Sequence, residues 1–155
     1  MKKRKLIIIF VTIVALIILM LVYVNFKGEN FNVNINVTNN TRSDVNLNMS
    51  ILLHKENTST SEKTISLTTL KAGATDKKNA TVNTPEGDFG LVLKINESEN
   101  SLYFTSGTKL SYVNYDLEIE EASNGDIILK GVVKSRKIFS TVGTNEIKPI
   151  IIKGE

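Results

Sequence analysis

Leu6 to Val24 reads LIIIFVTIVALIILMLVYV, and this apolar stretch separates a short basic tail from the rest of the chain. It contains no charged residue, and its only polar groups are Thr12 and the hydroxyl of Tyr23. Nineteen residues of α-helix extend about 28 Å, which matches the ~30 Å hydrocarbon core of a bilayer. We therefore predict one membrane-spanning helix over residues 6–24. The positions that we place inside the bilayer include Leu6, Ile13, Leu19 and Val24.

The charges on either side of this stretch predict its orientation. Four basic residues precede it, and Lys27 is the one that follows closely. The four are Lys2, Lys3, Arg4 and Lys5. Because basic flanking residues are retained on the cytoplasmic side of a membrane, we expect the N-terminus to be cytoplasmic. The predicted protein is a single-pass protein of the cell membrane with an extracytoplasmic C-terminal domain.

A cleaved signal peptide is the alternative interpretation of the apolar stretch. Signal peptides usually have an apolar region of about 7–15 residues that ends near small side chains. The stretch here is longer, and residues 22–27 (VYVNFK) contain no pair of small residues. We favour an uncleaved anchor. The predicted organisation is then a cytoplasmic tail (1–5), the helix (6–24), a short stalk (25–30) and one domain (31–155).

Charge and cysteine content exclude several classes of function. The net charge of +3 comes from 19 basic and 16 acidic residues. Five of the basic residues flank the apolar stretch, so the remainder carries 14 basic against 16 acidic residues, a net charge of −2. Nucleic-acid binding requires a basic patch, and the pattern contains none. The chain has no cysteine, which removes disulfides, thiolate metal sites, cysteine nucleophiles and a lipidated cysteine anchor.

From Phe31 onward, apolar residues recur at every second position, which is typical of half-buried β-strands. In the first run the apolar positions are Phe31, Val33, Ile35 and Val37, and they alternate with Asn32, Asn34 and Asn36. Further strands are predicted near residues 45–53, 65–67 (marked by Ile65 and Leu67), 80–82, 89–95, 102–104, 110–121, 127–133, 138–142 and 147–152. Pro149 confines the last of these to a sheet edge or a strand start. The predicted fold is an all-β antiparallel sandwich of about 8–10 strands behind the N-terminal transmembrane helix.

One hairpin permits a prediction of register. A two-residue Asn-Gly loop would set Ile119 opposite Lys130 and mix the polar and apolar faces. A three-residue loop, with Gly125 in the left-handed region, sets Ile119 opposite Leu129 and keeps each face uniform. The same register pairs Tyr115 with Val133 and Glu118 with Lys130. We predict the three-residue loop.

Three segments within residues 31–96 share the turn chemistry of one group of bacterial modules. They read VTNNT at 37–41, ISLTTLKAG at 65–73 and TPEGDFGLVLK at 84–94. This pattern resembles the Ig-like sandwich modules of bacterial surface proteins, including those described as cell-adhesion-related. The resemblance implies an Ig-like fold and a cell-surface context, and it supplies no catalytic residue. Residues 101–155 continue beyond the pattern.

Two motifs could carry chemistry, but neither has the partners that its mechanism requires. Residues 106–109 spell the S-x-x-K motif of penicillin-recognising enzymes, without the S-D-N and K-T-G motifs that accompany it there. His54 is the single histidine, and no second histidine or cysteine is present as a metal partner. We therefore predict no catalytic residue, no metal and no cofactor. An extracytoplasmic hydrolase is the remote alternative.

Asp116, Glu118 and Glu120 form an acidic row on one predicted strand face. Paired carboxylates can transfer protons or bind calcium. Lys130 and Lys134 on the next strand would neutralise the row, so we interpret it as a solvated, ion-paired face.

Two further groups are candidates for ligand contact. Tyr103 and Tyr112 could form an exposed aromatic patch for a sugar or a protein, whereas Tyr115 belongs to the core by its position in the alternation. The segment Asn96–Asn100 could hold calcium only weakly, since it lacks the dense ligand spacing of a calcium loop.

These observations predict a membrane-anchored extracytoplasmic binding or interaction module that is not an enzyme. Its expected partners are the lipid bilayer and either another envelope protein or a cell-wall glycan, and nucleic acid is not among them. The alternative is an accessory subunit of an envelope machine that serves secretion, conjugation or phage exclusion and immunity.

Overall fold

The structure, a computed structural model, describes residues 2–53, 61–83, 88–104, 110–138 and 140–153. Within these ranges the chain forms one helix followed by nine strands. The elements are α1 (Lys2–Glu29), β1 (Asn30–Asn39), β2 (Val45–Leu53), β3 (Ser61–Leu70), β4 (Thr75–Asn83), β5 (Phe89–Ile95), β6 (Ser98–Phe104), β7 (Leu110–Glu121), β8 (Ile127–Lys137) and β9 (Val142–Ile152). The prediction of a strand-rich domain behind one apolar helix is confirmed.

The strands form two sheets that share one core. A five-stranded sheet has the order β4-β1-β7-β8-β9, and a four-stranded sheet has the order β3-β2-β5-β6. Rings from the two sheets meet between them: Phe31 and Tyr115 lie 5.7 and 6.4 Å from Phe89, measured between ring centroids. Because buried apolar surface stabilises a fold by roughly 25 cal/mol per Å², this shared core is the main source of stability for the domain.

The alternation predicted for the first strand is confirmed. Its apolar side chains are at most 1% exposed, and they are Phe31, Val33, Ile35 and Val37. The asparagines between them face outward and are partly or fully exposed. The sequence pattern therefore separates a core face from a polar outer face along β1.

The predicted register of the β7–β8 hairpin is also confirmed. Ile119 pairs with Leu129, and the pairs Tyr115–Val133 and Glu118–Lys130 follow from the same register. Gly125 has a φ of +86°, which is the left-handed conformation that the three-residue loop requires. Tyr115 lies in the core, 1% exposed, and burial raises the pKa of its hydroxyl above the usual value.

One strand pair corrects the prediction of an antiparallel sandwich. β1 and β7 run parallel, with Val33 opposite Val113 and Ile35 opposite Tyr115. Alternation has the same period in parallel and antiparallel strands, so the sequence pattern could not reveal the direction. A parallel pair needs a long connection, and here β2 to β6 supply it. Both strands consequently start at the end of the domain next to α1.

Ile65 and Leu67 mark the third strand in the sequence, and a β-bulge at Ile65 breaks the alternation between them. The register of β2 with β3 shifts between Met49 and Ser50, and Leu67 pairs with Asn48. Leu67 therefore faces outward and is 79% exposed, whereas its neighbour Ser66 is buried. The strand itself is confirmed, and its apolar pattern is broken by the bulge.

Two predicted boundaries are wrong because both involve polar edge strands. The strand predicted at 147–152 is part of a longer strand, β9 (Val142–Ile152), whose polar residues 143–146 also pair with β8 through the backbone. Of the strand predicted at 138–142, Val142 alone among the described residues lies in a strand. Pro149 lies in this edge strand, beside a register shift at Leu129–Gly131, as its missing N–H requires. The predicted loop Asn96–Asn100 is a turn of Asn96 and Glu97, since Ser98 already begins β6.

The N-terminal helix includes the apolar stretch and continues beyond it. Within α1, Arg4–Tyr23 is long and apolar enough to cross a bilayer, a property that membrane anchors and signal sequences share. The side chains of this segment are exposed throughout. The residues expected to form a stalk are helical as far as Glu29, and β1 begins at Asn30.

Asn39 joins the corner between β1 and β2 to the turn between β3 and β4. Its buried Nδ2 donates to the carbonyl oxygens of Ser43 and Leu70, each at 2.9 Å. Its Oδ1 accepts from the backbone N and the Oγ1 of Thr41 at 3.0 and 2.7 Å. Its carbonyl accepts from the N–H of Gly73 at 2.7 Å. The turn motifs at 37–41 and 65–73 are thus hydrogen-bonded to each other.

Candidate functional site

The structure places the two candidate tyrosines on different sheets. Tyr103 lies in β6, is 66% exposed, and its ring lies 3.4 Å from where a Cβ on Gly90 would stand. Tyr112 lies in β7, opposite Asn32 on one side and Arg136 on the other, and is partly exposed. The two rings face outward from separate sheets and do not form one patch.

The acidic row lies on the outer face of β7 and is ion-paired, as predicted. Lys130 Nζ lies 2.7 Å from Glu120 Oε1 and 3.5 Å from Glu118 Oε2. Lys134 Nζ lies 3.2 Å from Asp116 Oδ2. These pairs are exposed, so each contributes little to stability. The two lysines offset two of the three negative charges of the row.

Asparagines from three strands meet on this same side of the five-stranded sheet. We define the amide face as Asn32, Asn34, Asn36, Asn79 and Asn114. The parallel register sets Asn34 opposite Asn114, and Asn34 Nδ2 donates to Asn114 Oδ1 at 2.7 Å. One step along, Asn36 Nδ2 donates to Asp116 Oδ1 at 2.7 Å. The amide face therefore continues directly into the acidic row.

Two shallow depressions on this outer face meet at Asn36. One, of about 390 Å³, lies between β4, β1 and β7. The other, of about 430 Å³, lies between β1, β7, β8 and β9. We call their combination the transverse groove, because it crosses all five strands. Side chains that line it include Asn34, Asn36, Lys77, Asn79, Asn114, Asp116, Lys130, Val132, Glu146 and Pro149.

Asp116 lies at the junction of the amide face and the acidic row. The hydrogen bond from Asn36 has the largest effect and lowers the pKa of its carboxyl; burial opposes it, and the hydrogen bond and positive charge of Lys134 each lower the pKa by a smaller amount. Asp116 is therefore ionised at neutral pH and acts as a hydrogen-bond acceptor. A carboxylate held this way is poorly suited to deliver a proton.

The candidate catalytic motifs fall on other parts of the chain. His54 and the S-x-x-K segment at 106–109 lie outside the described residues. Within the described ranges, no group of three or more His, Cys, Asp or Glu side chains is arranged to hold a metal ion. The candidate calcium segment is divided between a turn and β6, and its Glu99 Oε2 lies 3.1 Å from Lys94 Nζ.

The sequence pattern places three of the five residues of the amide face together, and the other two join them through the strand order. The alternation in β1 already places Asn32, Asn34 and Asn36 on one outer face. Asn79 and Asn114 join them only because β4 and β7 flank β1 in the sheet. Strand order is not encoded in the local pattern, so no sequence signal points to the complete surface.

Comparison of the chain with protein-family models, curated proteins and solved structures found no match. The argument for function therefore rests on the residues themselves.

Proposed function

We propose that α1 is an uncleaved membrane anchor with Lys2–Lys5 in the cytoplasm, and that the two-sheet domain is a binding module on the outer face of the membrane. The observation that carries the proposal is the junction between them. α1 ends at Glu29, β1 begins at Asn30, and the buried Phe31 follows at once. A cut near residue 28 would leave almost no chain before the core.

The exposed surface of the helix supports the anchor. Each side chain from Leu6 to Tyr23 is exposed, although nearly all are apolar. A contiguous apolar surface of this length needs an apolar environment, and a bilayer supplies it.

We further propose that the domain is an Ig-like sandwich that recognises a component of the cell envelope. Two sheets around one core, and the bonded turn motifs at Asn39 and Gly73, support this class. The amide face supports recognition in preference to catalysis. The hydrogen-bonding groups of the amide face are fixed by the sheet, and the carboxylates of the adjoining acidic row are held in ion pairs.

The test of this proposal is the location and N-terminus of the full chain. We expect it to fractionate with membranes, to keep its N-terminal residues by mass spectrometry, and to lose residues 31–155 when protease is added to intact protoplasts. A mature chain that starts near Gly28 would contradict the anchor. A domain that protease reaches only after the bilayer is broken would contradict the topology.

A further inference from the structure

We propose that the transverse groove binds a linear, uncharged polysaccharide chain. This inference deepens the proposed function and rests on it, because it names the ligand class of the same surface. It depends on the hydrogen-bonding groups, the charge balance and the dimensions of the groove.

The amides in the groove keep hydrogen-bonding capacity after pairing with each other. Asn34 uses Nδ2 toward Asn114, and Asn114 uses Oδ1, so one acceptor and one donor are left without a further partner among the described residues. Asn36 likewise uses Nδ2 toward Asp116 and keeps Oδ1. Sugar hydroxyl and acetamido groups both donate and accept, so they match alternating amide donors and acceptors.

The charges in the groove favour an uncharged ligand. Lys130 and Lys134 lie within 3.5 Å of the carboxylates in the acidic row. The charged side chains that line the groove are three lysines and three carboxylates, with cations on β4 and β8 and carboxylates on β7 and β9: Lys77, Lys78, Lys130, Asp116, Glu118 and Glu146. With cations and carboxylates in balance, the groove presents no single-sign field that would attract a polyanion or a polycation.

The shape of the groove favours an extended ligand that lies on the sheet face. Five strands at about 4.8 Å spacing give a length of about 19 Å across the sheet. An extended peptide would bind a sheet edge through backbone hydrogen bonds. A protein interface would need an apolar core, and the depression between β4, β1 and β7 is lined by asparagines and lysines. Tyr112, beside Asn32 and two residues from Asn114, adds a partly exposed ring at one side of the polar surface.

The experiment measures binding of defined oligosaccharides to the full chain in detergent micelles by isothermal titration calorimetry. The probes are the hexamers of N-acetylglucosamine and of glucose, with polygalacturonate as the acidic polymer. We expect at least one neutral hexamer to bind. The double variant Asn34→Ala with Asn114→Ala should weaken that binding about tenfold, since two hydrogen-bonding groups are removed. The matched control is Asn46→Ala, an exposed asparagine of the four-stranded sheet, which should bind like the wild type.

Three results would overturn the inference: no measurable binding of either neutral hexamer, preferential binding of polygalacturonate, or unchanged binding by a double variant that unfolds at the wild-type temperature. The inference and the proposed function fail separately. If the domain is accessible on intact protoplasts but neither neutral hexamer binds, the membrane-anchored module stands and the glycan does not.

Discussion

At the scale of single residues, Asn39 stabilises the corner between β1 and β2, which joins the two sheets. Its side chain is fully buried and hydrogen-bonds to Thr41, Ser43 and Leu70. Asn39→Ala leaves those partners unsatisfied, so we expect the free energy of unfolding to fall by about 2–4 kcal/mol in urea denaturation. The neighbouring Asn40 is exposed, and Asn40→Ala should change stability by less than about 0.5 kcal/mol. Equal effects of the two variants would contradict the role of Asn39.

Gly131 marks a close approach between β7 and β8. A Cβ at this position would lie 2.9 Å from Leu117 Cα and closer still to the carbonyl oxygen of Asp116. Backbone atoms in a central strand cannot move away cheaply, so Gly131→Ala should destabilise the domain by about 1–3 kcal/mol. Gly143→Ala is the matched control, because a Cβ there would lie 3.9 Å from its nearest neighbours, the carbonyl oxygen and the Oγ of Ser135. The measurement is the thermal unfolding temperature of both variants. A Gly131→Ala variant that unfolds at the wild-type temperature would refute the close approach.

At the scale of elements, the β5–β6 hairpin contains a strained turn. Asn96 and Glu97 form its two-residue loop, with φ of +45° and +73°. This type of turn prefers Asn-Gly, because glycine adopts positive φ without a steric penalty. Glu97→Gly should therefore raise the free energy of unfolding by about 0.5–1 kcal/mol. Ser98→Gly, one residue later in the strand, should lower it. If both substitutions destabilise the protein, the turn geometry is different.

The hydrogen bond from Asn36 on β1 to Asp116 on β7 should affect how the stability of the domain depends on pH. Because the pKa of Asp116 is lowered in the folded state by Asn36 and then by Lys134, the ionised carboxylate favours folding. That contribution is present above the ordinary aspartate pKa of about 3.9 and is lost as the pH falls through the lower folded value. Asp116→Asn should flatten the stability profile below about pH 4.

A direct titration separates the contribution of Asp116 from those of the other carboxyl groups. NMR titration of the Asp116 carboxyl should give a pKa below the ordinary value in the wild type, and a higher one in Asn36→Ala. A wild-type Asp116 that titrates at its ordinary pKa would show that the hydrogen bond from Asn36 does not form.

At the scale of elements, local sequence patterns predict some features of the fold and not others. The hairpin register around Gly125 was predictable, because turn chemistry and face parity both act within about twenty residues. The parallel pairing of β1 with β7 was not predictable, because apolar and polar residues alternate with the same period in parallel and antiparallel strands. Leu67 was misleading, since it is 79% exposed and a bulge at Ile65 separates the two apolar residues that mark the strand. Errors arise where long-range pairing or an irregularity decides the outcome.

At the scale of the whole molecule, strand order creates the candidate site. Tyr103 and Tyr112 are near in sequence but lie on separate sheets. Asn34 and Asn114 are 80 positions apart, yet they are hydrogen-bonded. Sequence reasoning can assign a residue to a face, but it cannot say which strands share that face. The transverse groove therefore becomes apparent only when the order of the strands in the sheet is known.

At the same scale, the proposed orientation in the membrane depends on the basic tail. The chain has no cysteine, so Ser123→Cys in the exposed β7–β8 turn gives one labelling site. With the native tail, this cysteine should react with a membrane-impermeant maleimide in intact protoplasts. Replacement of residues 2–5 by glutamine removes the charge bias that retains the N-terminus in the cytoplasm. A fraction of that variant should then react only after lysis. If the native-tail protein itself reacts only after lysis, the domain lies on the cytoplasmic side and the proposed topology is wrong.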